Sequence, residues 1–290
     1  MKNLAVYLLI FMILGSCSDS TERTFQSFDG VEVSYNVNGK GYPALIFVPG
    51  WGGKKDDFFY QADYFSPTYQ TVCIDLPGFG KSGNNRVEWT MSNYAKDVIA
   101  LMDRLKIDEA VLIGHSMGGI VILEVAKKIP NKIIGVIPLD VISNLEPTAT
   151  KKQIANIVEY WMDWANNATY DKMKSIFSEN TDSILIAKTV DDIKCASKVG
   201  WEESVTDVLH YLQSPSVLSS LLSEIQVPIH CINKADTKLD LDIARKYNSN
   251  ISASSIENVG HFFLWDAPDE SNILIESAIN EFMAMNNENN

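Results

Sequence analysis

Ser116 is the residue around which chemistry can be built. It sits in Val111-Leu112-Ile113-Gly114-His115-Ser116-Met117-Gly118-Gly119-Ile120, an apolar run that passes through a glycine-flanked serine into a helical pattern. A serine at the tip of a sharp strand-to-helix turn takes up strained backbone angles, and the positions two residues to either side must then carry no bulky side chain. Gly114 and Gly118 meet that demand. Such a turn lifts the hydroxyl clear of the sheet, and the free amides at the start of the following helix face any negative charge that develops on a carbonyl under attack. The chemistry expected of this stretch is nucleophilic.

The elements that must position Ser116 follow from the hydrophobic pattern. Ala110 to Ile113 reads as a buried strand and Ile120 to Ala126 as a helix that stops before Pro130. Upstream, Phe25 to Val37 alternates apolar and polar residues about Asp29-Gly30 and predicts a hairpin. Ala44 to Val48 and Thr71 to Asp75 are further strands. They are followed by the loops Pro49-Gly50-Trp51-Gly52-Gly53 and Leu76 to Ser82, and then by a helix from Met91 to Leu105 capped by Thr90 or Ser92. Ile133 to Ile137, Val227 to Ile232 and Ile251 to Ile256 supply the remaining strands, and an amphipathic helix from Ser271 to Met285 closes the chain. Strands alternating with helices imply parallel pairing through right-handed crossovers. From about Glu146 to Leu222 no comparable strand occurs. Helical segments fill that stretch, and the strand pattern then returns, which predicts an inserted helical cap.

Composition bounds the alternatives. With 290 residues and 46% hydrophobic content the chain can build a full core. A net charge of −13, with no run of Lys or Arg to track phosphates, argues against nucleic-acid binding. At the N-terminus, Lys2 and the apolar stretch Leu4 to Leu14 read as a signal peptide over residues 1–16, too short to span a bilayer as a mature helix. Leu14-Gly15-Ser16-Cys17 resembles the bacterial lipobox, which implies a lipidated Cys17, a tether over residues 17–24 and attachment to a membrane of the bacterial cell envelope. Ser18 after the cysteine resembles an outer-membrane sorting signal, while leaflet and facing stay open. Removing Lys2 with the signal takes the charge from −13 to −14, so anionic lipid heads would not attract the mature chain and the acyl chains must hold it. Cys73, Cys195 and Cys231 remain, an odd number that speaks against a disulfide framework. Cys73 and Cys231 lie in strand-like runs and are expected in the core. No cysteine and histidine spacing suggests a metal, and no cofactor is implied.

Three motifs together resemble the α/β-hydrolase superfamily over about residues 25–285: Gly114-His115-Ser116-Met117-Gly118-Gly119, Asp75-Leu76-Pro77-Gly78-Phe79-Gly80-Lys81-Ser82 and Gly260-His261-Phe262. The resemblance implies a mostly parallel central sheet flanked by helices, with a core over 25–144 and 223–290 and a helical cap over 145–222. It also implies a triad in the order Ser, acid, His. Of the four histidines, His115 sits beside the nucleophile, His210 in the cap and His230 within a strand. His261 follows a strand and a glycine, where a loop can bring its ring to Ser116. For the acid, the resemblance favours Asp236, in the loop after Val227–Ile232, although Asn233-Lys234-Ala235-Asp236 lacks the glycine common there. Asp140, after the preceding core strand, is the competitor. The superfamily's oxyanion hole maps onto the backbone amides of Met117 and Trp51, in a loop that opens with Pro49-Gly50 where the family usually has His-Gly.

The expected activity is hydrolysis of a small carboxylic ester through an acyl-enzyme. Cleavage of C–C bonds or thioesters is open to the same triad. From another class, a hydrolase-fold ligand receptor with slow or no turnover is the alternative. Trp161, Trp164 and Trp201 in the cap suggest an apolar substrate group or, more simply, glue between cap and core. The sequence does not indicate an oligomeric state.

Overall fold

The computed structural model describes residues 22–143, 145, 149–179 and 181–289. The signal-like residues 1–16 and the lipobox with Cys17 lie outside the described residues. Of the residues expected in the tether, Arg23 and Thr24 lie in the first strand, Arg23–Gln26. Among the described residues no helix is long and apolar enough to cross a membrane.

Among the described residues eight strands form one sheet: β1 (Arg23–Gln26), β2 (Glu32–Asn38), β3 (Ala44–Val48), β4 (Gln70–Ile74), β5 (Ala110–His115), β6 (Ile133–Leu139), β7 (Ile229–Lys234) and β8 (Ile251–Ile256). Their spatial order is β1-β2-β4-β3-β5-β6-β7-β8. The predicted hairpin pairs β1 with β2 antiparallel, and β2 pairs antiparallel with β4. From β4 to β8 every pairing is parallel. β5 runs between β3 and β6, so its C-terminal end is flanked by strands on both sides.

Both faces of the sheet are covered, and the side-chain alternation of the strands sorts residues between two cores. Ile46, Val48 and Leu112 face one layer, which also takes apolar residues from Met91 to Met102 and from Ile120 to Ala126, on two helices. Leu45, Phe47, Val111 and Ile113 face the other, with Phe65, Ile275, Ile279 and Phe282. Each large apolar side chain buried in this way contributes roughly 1.5–3 kcal/mol. Cys73 and Cys231 are buried in these layers, as expected for small apolar residues, whereas Cys195 is exposed.

The helices are α1 (Phe59–Phe65), α2 (Met91–Leu105), α3 (Met117–Lys128), α4 (Lys151–Asn166), α5 (Tyr170–Lys174), α6 (Ser183–Cys195), α7 (Trp201–Leu212), α8 (Pro215–Glu224), α9 (Leu241–Ala244), α10 (Phe263–Asp266) and α11 (Pro268–Asn289). Thr90 is the cap of α2, with its hydroxyl accepting from the Asn93 amide at 3.2 Å. Helices α4 to α8 lie between β6 and β7, with no strand among the described residues there. α4 packs on α7 and α5 on α6, while α7 and α8 both pack against α3.

Polar ties fix α7 to the core. The Trp201 indole donates to the Gly78 carbonyl at 2.9 Å and the Tyr211 hydroxyl to Glu124 at 3.0 Å. Glu203 accepts from the Trp89 amide at 3.1 Å, and Asp207 from the Met91 amide at 2.7 Å, which places a carboxylate on the first turn of α2. The cap therefore rests on α7 and α8, with α4 carried on α7.

Candidate active site

Ser116 occupies the turn between β5 and α3 with φ 51° and ψ −122°, a region L-residues rarely adopt. The flanking glycines make it possible. A Cβ on Gly114 would lie 2.3 Å from the Gly118 carbonyl oxygen, and one on Gly118 would lie 2.2 Å from the Val48 oxygen. Any side chain at either place would therefore drive α3 off β5 or β3. The Ser116 amide donates to the Leu139 oxygen at 2.9 Å, and the Ser116 carbonyl accepts from Gly119 at 2.8 Å, so the strained residue is held from both sides.

His261 reaches this turn from the loop after β8, and its ring lines the same cavity as Ser116. Its Nδ1 lies 2.6 Å from Oδ2 of Asp140. Asp140 follows β6 directly, its own amide donates to Ile232 at 2.8 Å, and its side chain is only 5% exposed. Burial alone would raise this carboxyl. The His261 ring and the Thr237 hydroxyl, which donates to Oδ1 at 2.9 Å, together hold it below its ordinary value. The expected contact between Asp236 and His261 is not made. Asp236 stands in a short turn after β7 with its side chain 74% exposed, and both its oxygens accept from Lys234 Nζ at 2.9 Å. Asp140 ends β6, the immediate neighbour of β5, whereas the β7 turn presents Thr237 to the site and ties Asp236 back onto Lys234.

His115 is buried beside His261, with ring centroids 4.6 Å apart. Burial, reinforced by the neighbouring His261 ring, pushes His115 down to about 3, so near neutral pH it is an uncharged ring. Its Nε2–H then donates to the His261 carbonyl at 2.9 Å, which makes it a strut for the histidine loop.

Trp51 and Met117, whose backbone amides are the expected oxyanion donors, also lie at this site. Both residues line the cavity with Ser116, and among the described residues no acceptor takes either amide. The loop that carries Trp51 begins with Pro49-Gly50 and is held by other means. The Trp51 indole donates to the Trp201 carbonyl at 3.0 Å, the Gly53 amide to the Gly50 carbonyl at 3.1 Å and the Lys54 amide to Asp57 at 2.9 Å. Asp57 is itself enclosed, and burial pushes its carboxyl up to about 7.

Residues 43–173 match the alpha/beta hydrolase fold family. Over 90% of this chain and 98% of the other, the structure superposes on a thermophilic esterase from Thermogutta terrifontis with a TM-score of 0.75, at 17% sequence identity. The chain has the α/β-hydrolase fold. Among curated proteins the chain is 36% identical over 104 residues to the uncharacterized hydrolase YugF of Bacillus subtilis, a match that covers 35% of the chain and 38% of that protein. It is 34% identical over 112 residues to the dihydrolipoyllysine-residue acetyltransferase component of the acetoin cleaving system of Cupriavidus necator, covering 39% of the chain and 30% of that protein. The chain thus spans well under half the length of these relatives.

The cap and the sheet enclose a cavity of about 170 Å³ above Ser116. Trp161, Trp164, Met173, Ile176, Ile193, Val208, Leu209 and Leu212 form its cap wall, and Phe262 and Trp265 close it beside His261. The tryptophans divide the two expected roles. Trp161 and Trp164 line the cavity, whereas Trp201 is 1% exposed and packs between Trp51 and Phe79, joining cap to core. Lys54 and Asp192 also line the wall and form an ion pair between the core loop and α6. Sequence reasoning missed Thr237, the donor to Asp140. The available signal was a hydroxyl residue at the end of the β7 turn, within reach of the neighbouring strand end.

Proposed function

We propose that the protein is a serine hydrolase that cleaves a small, uncharged carboxylic ester through an acyl-enzyme on Ser116. The observation that carries this reading is the 2.6 Å contact of His261 Nδ1 with the buried Asp140, beside a strained serine in an apolar cavity. Asp140 holds the imidazole in the tautomer with the proton on Nδ1, which leaves Nε2 to accept the Ser116 proton as Oγ attacks the ester carbonyl. The Trp51 and Met117 amides receive the oxyanion. His261 then returns the proton to the departing alcohol, and water repeats the sequence in reverse roles to release the acid. The apolar walls favour an aliphatic or aryl group, and Lys54 is already neutralised by Asp192, so nothing on that wall calls for an anionic substrate. The relatives named as a hydrolase and an esterase point the same way.

The test is labelling by a fluorophosphonate probe together with turnover of short p-nitrophenyl esters. Ser116→Ala should abolish labelling and lower turnover by ~10³ or more. Near-parental turnover in a clean preparation of that variant would refute the reading, and a parent that neither labels nor turns over would favour a ligand receptor. The motif Leu14-Gly15-Ser16-Cys17 supports a further part of the proposal, that Cys17 is lipidated and anchors the enzyme to the cell envelope, as expected for an outer-membrane lipoprotein. Cys17→Ser should move the protein out of the detergent phase, and unchanged partitioning would count against the anchor.

A further inference from the structure

Asp140 and His115 account for only part of what holds His261. The His261 amide donates to the carbonyl of Ile176 at 2.9 Å, and Ile176 belongs to the cap, in the segment between α5 and α6. One residue earlier, the Gly260 amide donates to Oδ2 of Asp266 at 2.7 Å. The same Oδ2 accepts from the Ser178 amide at 3.3 Å, and Oδ1 accepts from the Thr181 hydroxyl, both of the cap. A Cβ on Gly260 would lie 2.6 Å from the backbone of Phe177 and Ser178, so the two chains meet backbone against backbone. The Phe177 ring stacks on Phe262 at 4.8 Å and on Trp265 at 5.6 Å, which fills the space between them.

The backbone amides on both sides of the Gly260–His261 step are therefore tied to the cap, one directly and one through the Asp266 carboxylate. We infer that Asp266 is a positioning residue that couples seating of the cap residues Ile176, Ser178 and Thr181 to placement of His261, so that the base is aligned only when the cap closes the cavity. Asp266 touches neither Ser116 nor the His261 ring and acts through the main chain. The physical basis is geometric. A shift of about an ångström in a catalytic group costs orders of magnitude in rate, and a loop with two amides bound to the cap moves when the cap moves. Ion-paired or carboxylate-bound amides are also the stronger kind of hydrogen bond, which suits a coupling element.

The inference rests on the proposed function and is tested on the cap side, away from the chemistry. Thr181 is 9% exposed and its hydroxyl serves Asp266. Thr181→Val removes that bond while leaving Gly260 its acceptor, and Thr181→Ser restores it. With p-nitrophenyl acetate, Thr181→Val should lower kcat about tenfold with KM within about twofold, and Thr181→Ser should recover most of the loss. The low-field proton resonance of the His261–Asp140 hydrogen bond should broaden in Thr181→Val and sharpen again in Thr181→Ser. Asp266→Asn offers one acceptor atom where three donors converge and should lose more than Thr181→Val, and the Thr181 pair decides the matter should that variant not fold. An active parent whose kcat and resonance survive Thr181→Val would overturn the coupling while leaving the hydrolase reading intact. Failure of Ser116→Ala to affect turnover would instead remove the reading itself.

Discussion

The loops that end β6 and β7 each carry an aspartate within a few residues of the strand, yet they do opposite things. Asp140 takes a positive φ of 47° immediately after β6 and turns a buried carboxylate toward His261. Asp236 comes two residues after β7, in a tight turn, and folds its carboxylate back onto the partly exposed Lys234 ammonium. Neighbouring strands are about 4.8 Å apart, so a side chain from β7 must cross the end of β6 to reach a histidine poised over β5. The β7 loop does reach that far, but with Thr237. Its hydroxyl and the Lys234 amide, at 2.9 and 3.4 Å, both approach Asp140 Oδ1. One loop supplies the charge and the other supplies the hydrogen bonds that keep it charged while buried.

The largest expected effect lies on the β6 side. Asp140→Asn keeps the shape but replaces an acceptor-only carboxylate with an amide that favours the wrong tautomer of His261. A loss on the order of 10⁴ in kcat is the precedent for this change in serine triads. Steady-state kinetics on a short p-nitrophenyl ester read it, and a loss below tenfold would show that Asp140 is not the acid. Because the native carboxyl lies below its ordinary value of 3.8, its interactions stabilise the fold fully above that pH. That part is lost as pH falls through the folded value. The melting-temperature gap between parent and variant should accordingly be wide at pH 7 and close below about pH 3.8.

An intermediate effect is expected where the two loops meet. Thr237→Val keeps the volume and removes a hydrogen bond to a buried charge, a type of bond worth about 1.5–3 kcal/mol, so kcat should fall roughly tenfold. Thr237→Ser should stay close to the parent. Equal losses in both variants would point to packing around the methyl group instead of the hydroxyl.

How much of this was legible in the sequence follows from what is local and what is not. The turn at Ser116 is readable because its constraint is written two residues either side, in Gly114 and Gly118, whose missing side chains the structure shows to be obligatory. The strands and the cap are readable because apolar runs and helical spacing are properties of consecutive residues. The hairpin about Gly30, the capping role of Thr90 and the burial of Cys73 and Cys231 all follow from such patterns. Which aspartate meets His261 was not readable. Asp140 and Asp236 have equal local credentials, and the difference arises from which strand lies beside β5 and from a backbone angle at Asp140 that no flanking glycine announces. Thr237, His115 and Asp266 escape for the same reason. Each serves the site through a partner distant in sequence: Asp140, the His261 carbonyl, and the cap residue Thr181 together with the amide before His261.

The smallest expected effect sharpens the comparison most. Asp236→Asn removes a carboxylate that is 74% exposed and paired only with Lys234, an ammonium that itself has access to solvent. Exposed pairs of this kind contribute about 0–1 kcal/mol, and Lys234 can rehydrate when its partner goes. Turnover should stay within about twofold of the parent, and the melting temperature should barely move. The informative arrangement is the double variant Asp140→Asn with Asp236→Asn. If β7 supplies no charge to His261, the second substitution adds nothing to the loss caused by the first, since residues that do not share a partner give independent effects. A further drop of tenfold or more in the double variant would mean that Asp236 swings in to serve His261 once Asp140 is neutral, and that the β7 loop keeps a usable second acid position. No further drop would leave the β6 carboxylate as the sole source of the charge that orients the histidine.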